Sequence, residues 1–195
     1  MTRRDLLNLL FGLSLVGLMA WGFLTVTADK EHFPGEMTYR EGNYRLERGQ
    51  YQKALECFRR VEELNPDFLP ARLGQALVFI QTKDYSRALE ILNNLVVQDP
   101  QFAEAWANRG IVHDHLGRYQ EAIRDYRRAL ELDPNLARGP GIIYRILHNI
   151  SQKPSTIADR LRYLEAELKK PPDKRLLRLP EIDSKQPLNT GRRFL

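Results

Sequence analysis

Three consecutive segments of this chain align on one another without a gap at a period of 34 residues: Gly35 to Phe68, Leu69 to Phe102 and Ala103 to Leu136. Gly42, Ala76 and Gly110 share one register position. Tyr51, Tyr85 and Tyr119 share another, as do Ala54, Ala88 and Ala122; Leu55, Leu89 and Ile123; Phe58, Leu92 and Tyr126; and Pro66, Pro100 and Pro134. A period of this size belongs to arrays of small units, each unable to bury its own apolar face alone and each completed by its neighbour.

Each recurring position has a physical role in a pair of antiparallel helices. The small residue in the first helix and the alanine in the second let two backbones approach, and the aromatic and aliphatic positions fill the space between them. Asn65-Pro66, Asp99-Pro100 and Asp133-Pro134 stop each second helix, because the residue before proline is pushed out of the α region. Gly49 and Gly117 fall in the turn inside a pair, where a residue without a side chain adopts positive φ; Lys83 takes that place in the middle unit.

These positions resemble the tetratricopeptide-repeat family, most fully in the third segment, where Trp106, Gly110, Gly117, Tyr119, Ala122, Tyr126, Ala129 and Pro134 follow its pattern. Thr38 and Arg72 depart from it where Trp106 stands, and His113 stands where an aromatic is usual. The resemblance implies an all-α, right-handed helix-turn-helix solenoid of three repeats. It also implies a concave surface built from the first helix of each repeat. By register that surface comprises Tyr39, Asn43 and Leu46, then Leu73, Leu77 and Ile80, then Ala107, Ile111, Asp114 and His115. An apolar centre of this kind suits an extended or helical apolar peptide. Two other readings of these positions stand beside it: interhelical core, or a groove filled by the protein's own tail. Some members of the family hold the C-terminal carboxylates of chaperones in a basic, asparagine-bearing clamp. Asn43 matches that clamp, but Tyr39, Gly74, Glu104 and Asn108 stand at its other places, so a chaperone-tail receptor is not expected.

Residues 1–28 read as a short stub and a membrane anchor. Leu6 to Val26 is 21 residues without a charge, with eight Leu, two Phe and two Val. At roughly 1.5 Å per residue it reaches about 31 Å, near the thickness of a bilayer's hydrocarbon. Arg3 and Arg4 precede the span, and Asp29, Lys30 and Glu31 follow it. The positive-inside rule then predicts a single-pass protein whose body is extracytoplasmic, on the periplasmic side of a bacterial inner membrane. Val26-Thr27-Ala28 resembles a cleavage site, although the apolar stretch exceeds a signal peptide's. Thr2 to Leu7 weakly resembles a twin-arginine signal, which predicts the same side. Residues 29–34 form a linker.

After Leu136 the period fades. Residues 137–170 read as a degenerate fourth pair that covers the end of the array, with helices over Ile142–Ile150 and Ser155–Lys170. Ser155 caps the second, and Leu161, Leu164 and Leu168 form its buried stripe. Pro171-Pro172 ends regular structure, and residues 171–195 form a basic tail, extended or disordered by itself. The basic character of the chain, +5 overall, comes from residues 137–195. Residues 1–34 carry three Lys/Arg and three Asp/Glu, residues 35–136 carry 14 and 16, and residues 137–195 carry 13 and 6.

No phosphate loop, paired-carboxylate site or nucleophile beside a base is recognisable, so no catalysis and no cofactor are expected. His113 and His115 point about 200° apart on a helix and cannot share one metal ion. Cys57 is the sole cysteine, which excludes an internal disulfide. The sequence therefore predicts a membrane-tethered scaffold or adaptor that binds protein partners through the concave surface and serves the assembly of a membrane complex. A permanent structural subunit with a self-occupied groove is the alternative. Binding of anionic lipid or nucleic acid through the basic C-terminal segment is a second one, weakened for nucleic acid by its few aromatics. Self-association is left open.

Overall fold

The computed structural model describes residues 33–139 and 155–178. The predicted span 6–26, the helix at 142–150 and the tail beyond 178 lie outside the described residues. The chain divides into two units at Pro34 and Gly35, and every described helix belongs to the second. Among the described residues there are seven α-helices and no strand: α1 Glu36–Glu47, α2 Tyr51–Leu64, α3 Leu69–Gln81, α4 Tyr85–Gln98, α5 Ala103–His115, α6 Tyr119–Leu132 and α7 Ile157–Leu168. None of these is long and apolar enough to cross a membrane.

Helices α1 to α6 form three hairpins, one per repeat, and each second helix also packs on the first helix of the next hairpin. The turns follow the local chemistry. Gly49, Lys83 and Gly117 occupy the same turn position with φ of 71°, 61° and 74°. In each case the next residue's N–H closes the turn on a carbonyl of the preceding helix. Asn65, Asp99 and Asp133 are extended, with φ from −146° to −131°, as the following proline demands.

Close approach explains the small residues. A Cβ placed on Gly110 would lie 2.7 Å from the Tyr126 ring. Gly42 and Gly74 present the same surface to Phe58 from two successive repeats, again at 2.7 Å. Phe58 is thus clasped between α1 and α3 with no exposed surface. Ala54, Ala88 and Ala122 are equally buried. Full burial of a side chain such as Phe58 contributes about 1.5–3 kcal/mol.

Beyond the repeats, α7 packs on α6 and on the 3₁₀ turn Pro134–Ala137. Thr156, not Ser155, caps it, in a reciprocal box with Asp159. Both residues are plausible caps in sequence, and Asp159 selects Thr156 because a capping box needs its acid three residues on. Leu164 is fully buried, Leu161 and Leu168 partly so, and Ile157 joins them.

Candidate interaction surface

The ten inner positions fall into three groups, and the surface they define is closed. Tyr39, Leu46, Leu73, Leu77, Ile80, Ala107, Ile111 and Asp114 are each less than 9% exposed, leaving only Asn43 and His115 half-buried. Burial of eight of the ten positions is what interhelical core or a filled groove would give.

At the third repeat the cover is α7. Ala107 and Ile111 share one apolar cluster with Ile157 and Leu164. Asp114 is held by Arg160, which donates from Nε to Oδ2 at 2.6 Å and from Nη2 to Oδ1 at 2.8 Å. The Tyr126 hydroxyl donates to the same carboxylate at 3.3 Å. Both members of the ion pair are almost wholly buried, which a charge tolerates only when paired and hydrogen-bonded. Arg160 also donates to the Leu177 carbonyl at 2.8 Å. The residues after α7 are consequently not free, although the sequence reads them as tail. The Leu176 N–H donates to Glu167, and Arg178 donates to the His115 carbonyl. Bonding to Lys170 and Leu176 holds the Glu167 carboxyl below the ordinary range.

The middle group lies on α3, where every residue from Pro70 to Ile80 except Arg72 is buried. Such all-round burial means that both the outer and the inner side of this helix are covered.

At the first repeat, Tyr39 packs edge-on against Phe68 at 5.1 Å and tilted against Phe58 at 5.9 Å. Burial pushes its hydroxyl above the ordinary phenol range, the Asn43 side chain opposes this and the Glu104 carboxylate adds to it. Asn43 lies beside the Tyr39 hydroxyl, and its side chain is the hydrogen-bonding group that favours the ionised phenol.

The two histidines part company. His115 stacks on Tyr85 at 5.2 Å with the rings 11° from parallel. His113 turns toward Asp125, 3.8 Å from its carboxylate, which Arg109 already holds with two bonds of 2.7 Å. Burial lowers the His113 pKa, with Asp125 opposing. Among the described residues no group of three His, Cys, Asp or Glu is arranged to hold a metal ion.

One feature is not in the sequence-derived set. Thr38, at the register position of Trp106, opens a cleft of about 590 Å³ beside Cys57, rimmed by Arg45, Lys53, Arg59 and Arg60. In the third repeat Trp106 reaches back to the Pro100 carbonyl of the preceding repeat at 3.1 Å. The substitution of Thr for Trp was the available signal. Burial pushes the Cys57 thiol up, with Arg45 opposing, so the cleft does not hold an activated thiolate. Arg160 was equally unmarked, because its partner lies 46 residues away.

Two family models, both described as tetratricopeptide repeat, match residues 45–109 and 103–136. Among solved structures, the chain is similar to the first such domain of Spaghetti (RPAP3) bound to the HSP90 peptide SRMEEVD. The identity is 21% and the TM-score 0.55, covering 70% of this chain and 94% of that one. The first domain of human RPAP3 gives 22% and 0.53, covering 69% and 92%. Comparison with curated proteins gives no match.

Proposed function

We propose that this chain, whose residues 45–136 match models of the tetratricopeptide repeat, is a protein-interaction scaffold tethered to a membrane by residues 6–26. The observation that carries the reading is the stack of three hairpins whose first helices share one inner side, with Asn43 and His115 half-buried on it. A repeated array offers such a side to one elongated partner segment. That a domain of the same fold takes an HSP90 peptide supports a peptide as the ligand class. Tethering would raise the effective concentration of a membrane-bound partner, so a weak contact suffices. The charge pattern around the span favours a body on the extracytoplasmic side, and assembly of a membrane complex is the role we assign it. We assign it no catalytic activity.

The burial of eight inner positions favours a second reading, a permanent subunit whose inner face is occupied by its own chain. A photoreactive residue at half-buried Asn43 or His115, with one at outward Arg124 as control, separates the two. The scaffold reading expects a defined foreign protein in adducts from Asn43 or His115 and not from Arg124. It fails if the same adducts form from all three positions. Adducts only within the chain, together with stoichiometric recovery in one large complex in mild detergent, select the second reading.

A further inference from the structure

Helix α1 carries a face that both later first helices bury. Met37, Arg40, Glu41 and Tyr44 share register with Ala71, Gly74, Gln75 and Val78 of α3 and with Ala105, Asn108, Arg109 and Val112 of α5. On α3 and α5 this face rests on the second helix of the preceding hairpin. Gly74 meets the Phe58 ring of α2, Gln75 donates to Glu62 of α2 at 2.5 Å, and Arg109 donates to Asn93 of α4 at 3.2 Å. Ala71, Val78, Ala105 and Val112 are buried in consequence. Among the described residues no helix precedes α1, and Met37 and Tyr44 are 73% and 49% exposed. We propose that this face is a self-association surface, on which α1 of a second copy packs antiparallel about a two-fold axis near Tyr44. It lies on the opposite side of α1 from the inner positions Tyr39 and Leu46, so the inference stands apart from the reading of the inner side.

The residue types argue against a further repeat as the occupant. Where α3 has Gly74 pressed against Phe58, α1 has Arg40, and Met37 and Tyr44 stand in place of Ala71 and Val78. A hairpin seated as α2 sits on α3 would bury the Arg40 guanidinium, which a charge tolerates only when paired. Long side chains at these positions suit two helices that meet along a narrow apolar strip and leave their charges at the rim.

Charge complementarity selects a second copy. At 3.6 residues per turn, Met37 and Tyr44 line the middle of the face, Arg40 and Glu47 one edge, and Glu41 and Arg48 the other. Arg48 already lies over the Tyr44 ring, 4.7 Å from its centre. In an antiparallel pair the two-fold axis sets each edge against the same edge of the other copy, running in reverse. Each edge carries one base and one acid on either side of Tyr44. Arg40 therefore faces Glu47 of the other copy, Glu41 faces its Arg48, and the two Tyr44 rings meet at the centre. A parallel pair would set Arg40 against Glu41, so charge alone admits both directions; the opposed helix dipoles favour the antiparallel one. A contact between two short helices falls below the roughly 800 Å² per partner of a stable dimer, which makes the association weak and concentration-dependent.

The test is sedimentation equilibrium of the full chain in mild detergent, from about 1 μM to about 1 mM. A dimer should form as the concentration rises, and Tyr44→Glu should weaken it about tenfold or more with helical circular dichroism unchanged. Arg40→Glu should weaken it too, and adding Glu47→Arg should restore it, because the edge is again complementary to itself in reverse. A chain monomeric over the whole range overturns the proposal. So does a dimer that Tyr44→Glu or Arg40→Glu leaves intact, which is held elsewhere, or an Arg40→Glu defect that Glu47→Arg does not relieve. A second measurement does not depend on affinity. Oxidation of Tyr44→Cys in a Cys57→Ser chain should give a disulfide-linked dimer, whereas Arg124→Cys on exposed α6 surface should not. Equal yields from the two positions, or none from Tyr44→Cys, overturn it.

Discussion

Single residues set the tightest constraints in this molecule, and three of them yield measurable consequences. Lys83 adopts φ of 61° where its counterparts are glycines. An L side chain pays for that conformation, so Lys83→Gly should raise stability by about 1 kcal/mol, seen as a higher urea midpoint at unchanged slope. Gly110 has no room for a side chain, its Cβ direction being filled by Tyr126. Gly110→Val should destabilise by about 1–3 kcal/mol or more and lower the melting temperature accordingly. His113 is kept neutral by burial, its pKa lying below the ordinary 6.5. Above that value both folded and unfolded chains carry it neutral, and it adds no pH dependence to stability. As the pH falls through 6.5 the unfolded chain takes up a proton that the folded chain resists, so stability declines. His113→Gln should flatten the decline between pH 7 and 5 in denaturant titrations, whereas an unchanged slope would assign it to other groups.

At the scale of elements, α7 is fastened by its apolar stripe and by one buried ion pair. Arg160 and Asp114 come from helices 46 positions apart and meet where little water reaches. Arg160→Met strands a buried carboxylate and should cost about 3–5 kcal/mol, detaching α7 and the residues that follow it. Combining it with Asp114→Leu should recover most of that loss, because an apolar pair of similar volume replaces the ion pair. A double variant no more stable than Arg160→Met alone would mean that the pair does not hold the cap. The capping box at Thr156 and Asp159 contributes a further increment of about 1 kcal/mol.

For the molecule as a whole, stacking of hairpins makes stability a sum over neighbours. The middle hairpin has a repeat on each side, and α3 is its most enclosed helix. The first hairpin has Tyr44 and Met37 exposed on α1 and a cleft where a tryptophan would sit in the third. Native-state hydrogen exchange should therefore show the strongest protection in α3 and α4 and the weakest in α1, with α5 and α6 dependent on Arg160. Equal protection across all three hairpins would indicate one cooperative unit instead.

The period, the proline stops and the turns were legible in the sequence, because each rests on local chemistry. Proline excludes the α region from the residue before it, a turn position demands positive φ, and a 34-residue register superposes the packing positions of one unit on the next. The inner positions were named by register alone, and their burial was not legible, since burial depends on which segments the fold brings together. Asp114 reads in sequence as a polar group offered to a partner, and only the fold brings Arg160 to it from beyond the period. Thr156 was chosen over Ser155 by the position of Asp159, a local signal that could have been read. The cleft beside Cys57 was half legible, in the loss of a tryptophan at position 38. Local sequence determined which helices form and how they repeat; contacts between distant segments decided which of their faces remain open.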